Sequence, residues 1–296
     1  ANELMIPPLL EPVQDSVATQ VEPADPDANE LDIPPLLEPA QDGVARFDLS
    51  LGESSHDFGA GVVAETVSYN GQSILGPTLL WRSGSEVEIS VTNALDEGTT
   101  AHWHGADVPA EDDGGPHSRI EPGQTWVADF EVIQPAATLW YHPHMMGTSA
   151  EQVFHGAAGM IIVEDDNPAA ADLPSTYGVD DIPLILQDRE FTADGQLSFE
   201  IDNDDDGDLN PDLTVNGTID PFTPVPAGPV RLRLLNGSQA RVYELRVDNG
   251  AMLTIASDGG YLPSPVELET ITIGPGDRAE VMVDTSVGPV ALLDSD

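Results

Sequence analysis

The sequence contains no cysteine and no lysine. The lack of cysteine excludes disulfide bonds and every metal site built on a thiolate ligand. The lack of lysine leaves nine basic residues, all arginine, against 53 acidic residues, and the formal net charge is −44. Because contacts to phosphate require cations, this balance excludes a general nucleic-acid or anionic-membrane binder.

Long hydrophobic runs are also missing. No stretch approaches the roughly 18–20 apolar residues of a membrane-spanning helix, so the sequence predicts no membrane span. A secretion leader consists of a basic segment followed by an apolar segment, and neither stands before Ala1 in this sequence. We expect that a leader was either removed or never present. The 296 residues suit two domains of ordinary size.

The excess of acidic residues has two interpretations. One is a hydrated acidic surface suited to high salt, where screening suppresses self-repulsion, as in a halophilic protein. The other is an electric field that concentrates metal ions or cationic substrates around the protein.

The N-terminus contains a duplication. Residues 1–18 read ANELMIPPLLEPVQDSVA, and residues 28–45 read ANELDIPPLLEPAQDGVA. Their proline-rich, acidic composition predicts an extended arm over residues 1–45. We expect the second copy, which leads directly into the following domain, to be the ordered one.

The rest of the chain has a β pattern. Glu86–Val91 alternates strictly between polar and apolar residues, as a half-buried strand does, and Val230–Leu234 alternates in the same way. Turn segments recur between the two halves, as in Ile120–Gly123 and Ile273–Gly276. We therefore expect an all-β chain of two related sandwiches, at residues 46–166 and 183–296, joined by a linker at 167–182. The second has no histidine and is expected to be metal-free.

Four histidines form two His-x-His pairs, His102/His104 and His142/His144. Residues i and i+2 of a strand project to the same face, so each pair aims two imidazoles in one direction. Two such strands side by side would make a patch of four nitrogens. Imidazole suits copper, zinc, iron and nickel, and copper(II) is favoured by affinity. The alternatives are hydrogen-bonded core histidines or an incidental zinc site.

Three segments carry a family resemblance: TTAHWHG at residues 99–105, WYHPH at 140–144 and GAAGMIIVED at 156–165. They resemble the first-domain motifs of multicopper oxidases, in particular the bacterial cuprous-oxidase and laccase-like branch. Supporting segments lie at 111–116, 180–188, 233–237 and 256–260, so the resemblance runs from about Ile33 to the C-terminus. It implies two cupredoxin-like Greek-key β-sandwiches after the arm.

The resemblance also implies roles for individual residues. His102 would bind the type 2 copper, and His104, His142 and His144 would bind the type 3 pair. Asp113 stands where the family keeps an acid that helps deliver protons to bound oxygen, although a turn acid before Gly114-Gly115 is the alternative. The implied activity couples one-electron oxidation of phenols, aromatic amines or cuprous and other metal ions to the four-electron reduction of O2 to water.

The sequence departs from the family in one respect. Three-domain members place the remaining four cluster histidines, and the type 1 blue site with its cysteine, in a third domain. We therefore expect that this chain alone does not turn over: either a third cupredoxin domain on a separate or cleaved chain completes it, or the sequence is a fragment of a longer protein. The alternative is a non-catalytic module that binds or sequesters copper. The family suggests a periplasmic or secreted location.

Other residues have weaker interpretations. His117 has two interpretations. It lies beside the copper ligands or on the entry route of copper, or it is an exposed loop histidine. His56 and His155 are expected to be structural. Met145-Met146 is expected to pack in the core or at its rim, the alternative being a soft copper(I) ligand. Asp202–Asp208 matches the start of a calcium loop, but Leu213 stands where a bidentate glutamate belongs, so a solvated acidic loop is favoured.

Overall fold

A computed structural model describes residues 29–39, 43–59, 61–200, 209–248 and 250–295. Almost all of its regular structure is β, as expected. The strands and the two short helices are β1 (Asn29–Glu30), β2 (Leu36–Leu37), β3 (Val44–Asp57), β4 (Val63–Tyr69), β5 (Thr78–Arg82), β6 (Glu86–Asn93), β7 (His102–His104), β8 (Thr125–Glu131), β9 (Ala137–His142), α1 (Ser149–Phe154), β10 (Gly159–Glu164), a 3-10 turn (Pro168–Ala170), β11 (Asp181–Arg189), β12 (Asp212–Val215), β13 (Pro221–Phe222), β14 (Pro229–Asn236), β15 (Tyr243–Val247), β16 (Met252–Ser257), β17 (Gly260–Leu268), β18 (Ile271–Ile273), β19 (Arg278–Asp284) and β20 (Leu292–Asp294).

The first sandwich packs a five-stranded sheet, in the order β2-β5-β10-β9-β7, against a four-stranded sheet, in the order β4-β3-β6-β8. Strand β6 alternates as its sequence predicts, with Val87, Ile89 and Val91 fully buried between the sheets. Aromatic side chains fill the middle of this core, and Trp103 of β7 is among them. The core therefore fixes β7 by its central residue and leaves its two histidines on the other face.

The second sandwich packs a six-stranded sheet, in the order β12-β11-β14-β19-β16-β17, against a three-stranded sheet, in the order β18-β15-β20. Strand β14 lies between β11 and β19, and the half-buried character expected for it is wrong. Arg231 and Arg233 are both buried, each 4 % exposed. They pair with the buried carboxylates of Asp181 and Glu280, which lets a charged strand face lie against the first sandwich.

A shared apolar cluster joins the two sandwiches. It contains Trp140 and Met160 of the first sandwich together with Ile185 and Leu235 of the second. Because Trp140 belongs to β9, this interface lies next to the histidine pairs.

The N-terminal segment crosses both sandwiches. Strand β1 pairs in parallel with β13, and β2 pairs in parallel with β5. The second copy of the duplication is therefore ordered over residues 29–39, whereas residues 1–28 lie outside the described residues. The expected domain bounds stay predictions, and strands β3 and β11 begin two residues before the expected starts of the two sandwiches. Within the described residues, no helix is long and apolar enough to cross a membrane.

Candidate metal centre

The two His-x-His pairs lie on neighbouring strands. Strand β7 is the edge of the five-stranded sheet and pairs antiparallel with β9, so that His102 is opposite His142. The chain then leaves β9 through Pro143 and places His144 in the following turn. The backbone N–H of His144 donates to the hydroxyl of Thr100 at 2.6 Å, which ties this turn to the segment that leads into β7.

The structure brings the imidazoles together. One ring nitrogen each from His102, His104 and His142 lies within 4.8 Å of the others. His144 is exposed and stands at the rim, with its ring centroid 5.1 Å from that of His102 and 5.9 Å from that of His142. All four histidines that the sequence singled out therefore share one site, three of them as a compact triad.

The spacing within the triad suits a metal ion. Nδ1 of His104 lies 3.2 Å from Nε2 of His142. Two imidazole nitrogens held about 2.0–2.1 Å from one ion at a tetrahedral angle are about 3.3 Å apart. The donor set consists only of imidazoles, which favours copper, zinc, iron or nickel over magnesium or calcium.

Hydrogen bonds fix the tautomers of two ligands. Nδ1 of His102 donates to the carbonyl of Asp113 at 2.9 Å, and Nδ1 of His142 donates to the carbonyl of Pro143 at 2.8 Å. Carbonyl oxygens only accept, so the proton of each ring is on Nδ1, and Nε2 carries an unprotonated lone pair. Metal-binding histidines usually hold their second nitrogen in this way.

The site lowers the pKa of two of its histidines, His142 and His104. Burial lowers the pKa of His142 to about 3, and the neighbouring histidines add to this effect. Burial lowers the pKa of His104 to about 4, and the positive charge of Arg278 adds to this effect. Both rings are therefore uncharged near neutral pH, with one ring nitrogen of each able to bind a cation.

Asp113 lies beside His102. Its carboxylate oxygen Oδ2 is 3.3 Å from Nδ1 of His102, and its side chain is partly exposed. The loop that carries it is held on β7, because Nε1 of Trp103 donates to the carbonyl of Asp112 at 2.9 Å. A Cβ at Gly114 would overlap the carbonyl oxygen of Ala101, so this close approach requires glycine.

The second sandwich contributes residues that the sequence did not single out. Gly276, in the turn before β19, lies so close to His104 that an added Cβ would be 3.1 Å from its Cε1 atom. The guanidinium of Arg278 donates to the carbonyls of Thr138 and Gly276 at 3.1 and 2.8 Å. The repeat between 120–123 and 273–276 marked this turn, but only its position in the fold shows that it touches a histidine of the first sandwich.

Strand β9 is fixed to the second sandwich at Thr138. Its hydroxyl donates to Glu280 at 2.7 Å and accepts from Arg233 at 2.8 Å. Glu280 is 1 % exposed and also pairs with Arg231. The strand that ends at His142 is thus held by a buried network of charges.

The other histidines that the sequence singled out, and Met146, are not members of the triad. His56 is buried, with hydrogen bonds to Ser73 and to the carbonyl of Gly217, which suits the structural role expected for it. His117 is exposed, and His155 is half-buried and bonded to the carbonyl of Glu151. Met146 is 87 % exposed, so the expected packing role is wrong for it. The calcium-loop candidate Asp202–Asp208 lies outside the described residues.

The chain is similar to several known proteins. A family model described as "Multicopper oxidase" matches residues 51–168, and a second model with the same description matches residues 194–290. A multicopper oxidase of Staphylococcus aureus is 40 % identical over 254 residues, which are 84 % of this chain and 56 % of that protein. A cell division protein, FtsP, of Edwardsiella tarda is 41 % identical over 241 residues, 81 % of this chain and 51 % of that protein.

A solved structure gives the same result for the fold. The laccase-like multicopper oxidase CueO of an Ochrobactrum species is 43 % identical, with a TM-score of 0.83 over 89 % of this chain and 60 % of that chain. The chain spans about half the length of the curated relatives it matches. With its two cupredoxin-like sandwiches, the chain belongs to the multicopper oxidase family.

Proposed function

We propose that this chain supplies half of the oxygen-reducing copper cluster of a multicopper oxidase. The observation that carries the proposal is the cluster of four histidines on β7, β9 and the turn after β9, three of them with nitrogens within 4.8 Å. His102 would bind the type 2 copper, and His104, His142 and His144 would bind the type 3 pair. Copper, when bound, would supply the electron transfer that couples substrate oxidation to the reduction of O2 to water.

Other groups of this chain would orient the histidine ligands and deliver protons to the cluster. The hydrogen bonds from Nδ1 of His102 and of His142 to carbonyls would leave Nε2 of each ring to bind the metal. Asp113, whose carboxylate lies 3.3 Å from His102 and is partly exposed, would pass protons from water toward the cluster. Reduction of O2 to water consumes protons, which gives an acid at this position a chemical purpose.

The rest of the enzyme would come from outside this sequence. These 296 residues have no histidine after His155 and no cysteine, so the other cluster ligands and the type 1 site would belong to a third cupredoxin domain, on a separate or cleaved chain or in a longer parent protein. Substrate would be oxidised there, and phenols, aromatic amines or cuprous and other metal ions are the proposed classes. We also propose a periplasmic or secreted location, which cell fractionation would test.

A non-catalytic copper-binding module is the second candidate. It is favoured by the triad itself, which is complete within one chain and needs no partner to hold an ion. The similarity to a protein named for cell division also points to roles other than oxidation among related chains.

Native mass spectrometry of the protein as isolated from its source separates the two functions. The oxidase predicts either a complex of the 31.4 kDa chain with a second polypeptide or a longer single chain that contains this sequence, in both cases carrying type 1, type 2 and type 3 copper and consuming O2. A lone chain that retains copper but consumes no O2 would support the binding module. A lone chain without copper affinity would refute both.

A further inference from the structure

Residues 29–37 form a strap across both sandwiches. The backbone N–H groups of Asn29 and Leu31 donate to carbonyls of the second sandwich, those of Asp220 and Phe222, at 3.0 and 2.8 Å. Farther along, the strap adds β2 to the first sandwich beside β5. We call the surface beneath residues 29–37 the strap cleft.

The strap buries specific side chains in this cleft. Leu31 is 6 % exposed and belongs to the core of the second sandwich, where Ile33 packs beside it. Leu37 packs against the core of the first sandwich. The amide of Asn29 donates to the carbonyl of Ile219 at 2.7 Å. A segment that docks in the strap cleft in the same way therefore needs matching side chains at these four positions.

Asp32 behaves differently from its neighbours in the strap. It is exposed, and its hydrogen bonds to the second sandwich use its backbone: its N–H donates to the hydroxyl of Thr218, and its carbonyl accepts from the amide of Asn216. Any residue with a backbone N–H can make both hydrogen bonds, so docking does not require a particular side chain at this position.

The duplicated segment carries the same docking residues. Residues 2–10 read NELMIPPLL and residues 29–37 read NELDIPPLL, so the two differ only at Met5 and Asp32. The single difference therefore falls on the exposed position. Asn2, Leu4, Ile6 and Leu10 correspond to the four side chains that the strap uses.

We propose that residues 2–10 are a second ligand for the strap cleft, so that the two copies exchange within one chain. Leu37 is seven residues before Val44, the start of β3, whereas Leu10 is 34 residues before it. Loop-closure entropy disfavours the longer connection by about tenfold, since the probability falls as the 3/2 power of loop length. On this proposal, the first copy would occupy the cleft in about one molecule in ten. This inference is independent of the proposed copper chemistry.

Two single substitutions and their combination test the exchange. Leu4→Asp should leave the folding equilibrium constant unchanged, because the second copy still docks. Leu31→Asp should lower that constant only about tenfold, because the first copy takes its place. The double variant should have a folding equilibrium constant lower by about a hundredfold or more, since no leucine then fills the core position. Urea unfolding measures all three, and a Leu31→Asp variant as unstable as the double variant would overturn the exchange.

A disulfide trap detects the exchange directly in this cysteine-free chain. Glu30 is paired with Phe222 in the described register, and Glu3 is its counterpart in the first copy. The variant Glu3→Cys/Phe222→Cys should form an intramolecular disulfide on oxidation, and more completely when Leu31→Asp is added. The control pair Glu30→Cys/Phe222→Cys should close in the parent chain. Closure of the control without closure of the Glu3 pair would refute the proposal.

Discussion

Trp140 stacks on His142, with the ring centroids 3.9 Å apart and the ring planes 25° from parallel. The indole also borders His104, at 5.1 Å between centroids. Trp140 is 6 % exposed and forms part of the cluster that joins the sandwiches. One side chain thus supports two candidate ligands and fills the interface at the same time.

Trp140→Phe should weaken copper binding about tenfold or more, because the smaller ring leaves both imidazoles less restrained. Competition titration with a copper chelator measures the affinity. Trp81→Phe is the matched control, since Trp81 is also a buried tryptophan without a partner for its Nε1 atom but lies in the core of the first sandwich. Equal affinities in the two variants would show that Trp140 acts only by packing.

Gly276→Ala should lower copper affinity and stability together. The residue has φ of +81°, which costs an L side chain about 1 kcal/mol, and the new methyl group presses on His104 at 3.1 Å. Gly123→Ala provides the control, because it changes the equivalent turn of the first sandwich at φ of +75° with nothing within 4 Å. It should lose similar stability and no copper affinity, as measured by urea unfolding and chelator competition.

Copper should raise the melting temperature of the chain, because a ligand that binds only the folded state stabilises it by mass action. His142→Ala should abolish most of this increase, since it removes one member of the triad. His117→Ala should retain it, because His117 is exposed and outside the triad. Calorimetry with and without copper gives the comparison, and an increase retained by the His142 variant would contradict the site.

Glu280→Gln should destabilise the protein by about 3–5 kcal/mol, because it leaves the buried Arg231 and Arg233 without a full counter-charge. Glu88→Gln, which breaks the exposed pair with Arg46, should cost less than about 1 kcal/mol. Urea unfolding of both variants at one salt concentration measures the difference. A cost for Glu280→Gln as small as that of the surface variant would show that the network is dispensable.

The same carboxylate predicts a pH dependence. Burial alone would raise the pKa of Glu280, but Arg233 and Arg231 outweigh it and hold the pKa below the ordinary value of 4.5. A depressed folded-state pKa gives stability that is fully present above about 4.5 and is lost as the pH falls through the folded-state value. The unfolding free energy of the parent chain should therefore fall in acid more steeply than that of Glu280→Gln, and equal slopes would contradict the depressed pKa.

The strands and the histidine pairs could be read from local patterns. Strict alternation at Glu86–Val91 predicts β6, and the two-residue spacing of His102 and His104 predicts their common face. Both depend only on neighbours along the chain. The structure also lines up His102 with His142, a relationship that their sequence motifs suggest but that strand pairing creates.

Other features could not be predicted because they depend on packing between the sandwiches. The alternation of Arg231 and Arg233 is typical of a strand with one solvent-exposed face, yet both are buried, and Arg233 donates to the hydroxyl of Thr138 of the other sandwich. Their partners, Asp181 and Glu280, lie about 50 residues away along the chain. The contact of Gly276 with His104 has the same origin, since nothing local to the turn indicates its neighbour.

The buried arginines have a consequence for the exterior of the protein. Four of the nine arginines, Arg189, Arg231, Arg233 and Arg278, are at most 6 % exposed, so the surface is almost bare of positive charge. Such a surface gathers a dense layer of small cations from solution. A positively charged partner that docks on it would set those cations free and bind more weakly as salt rises, whereas an acidic partner would need salt to approach at all.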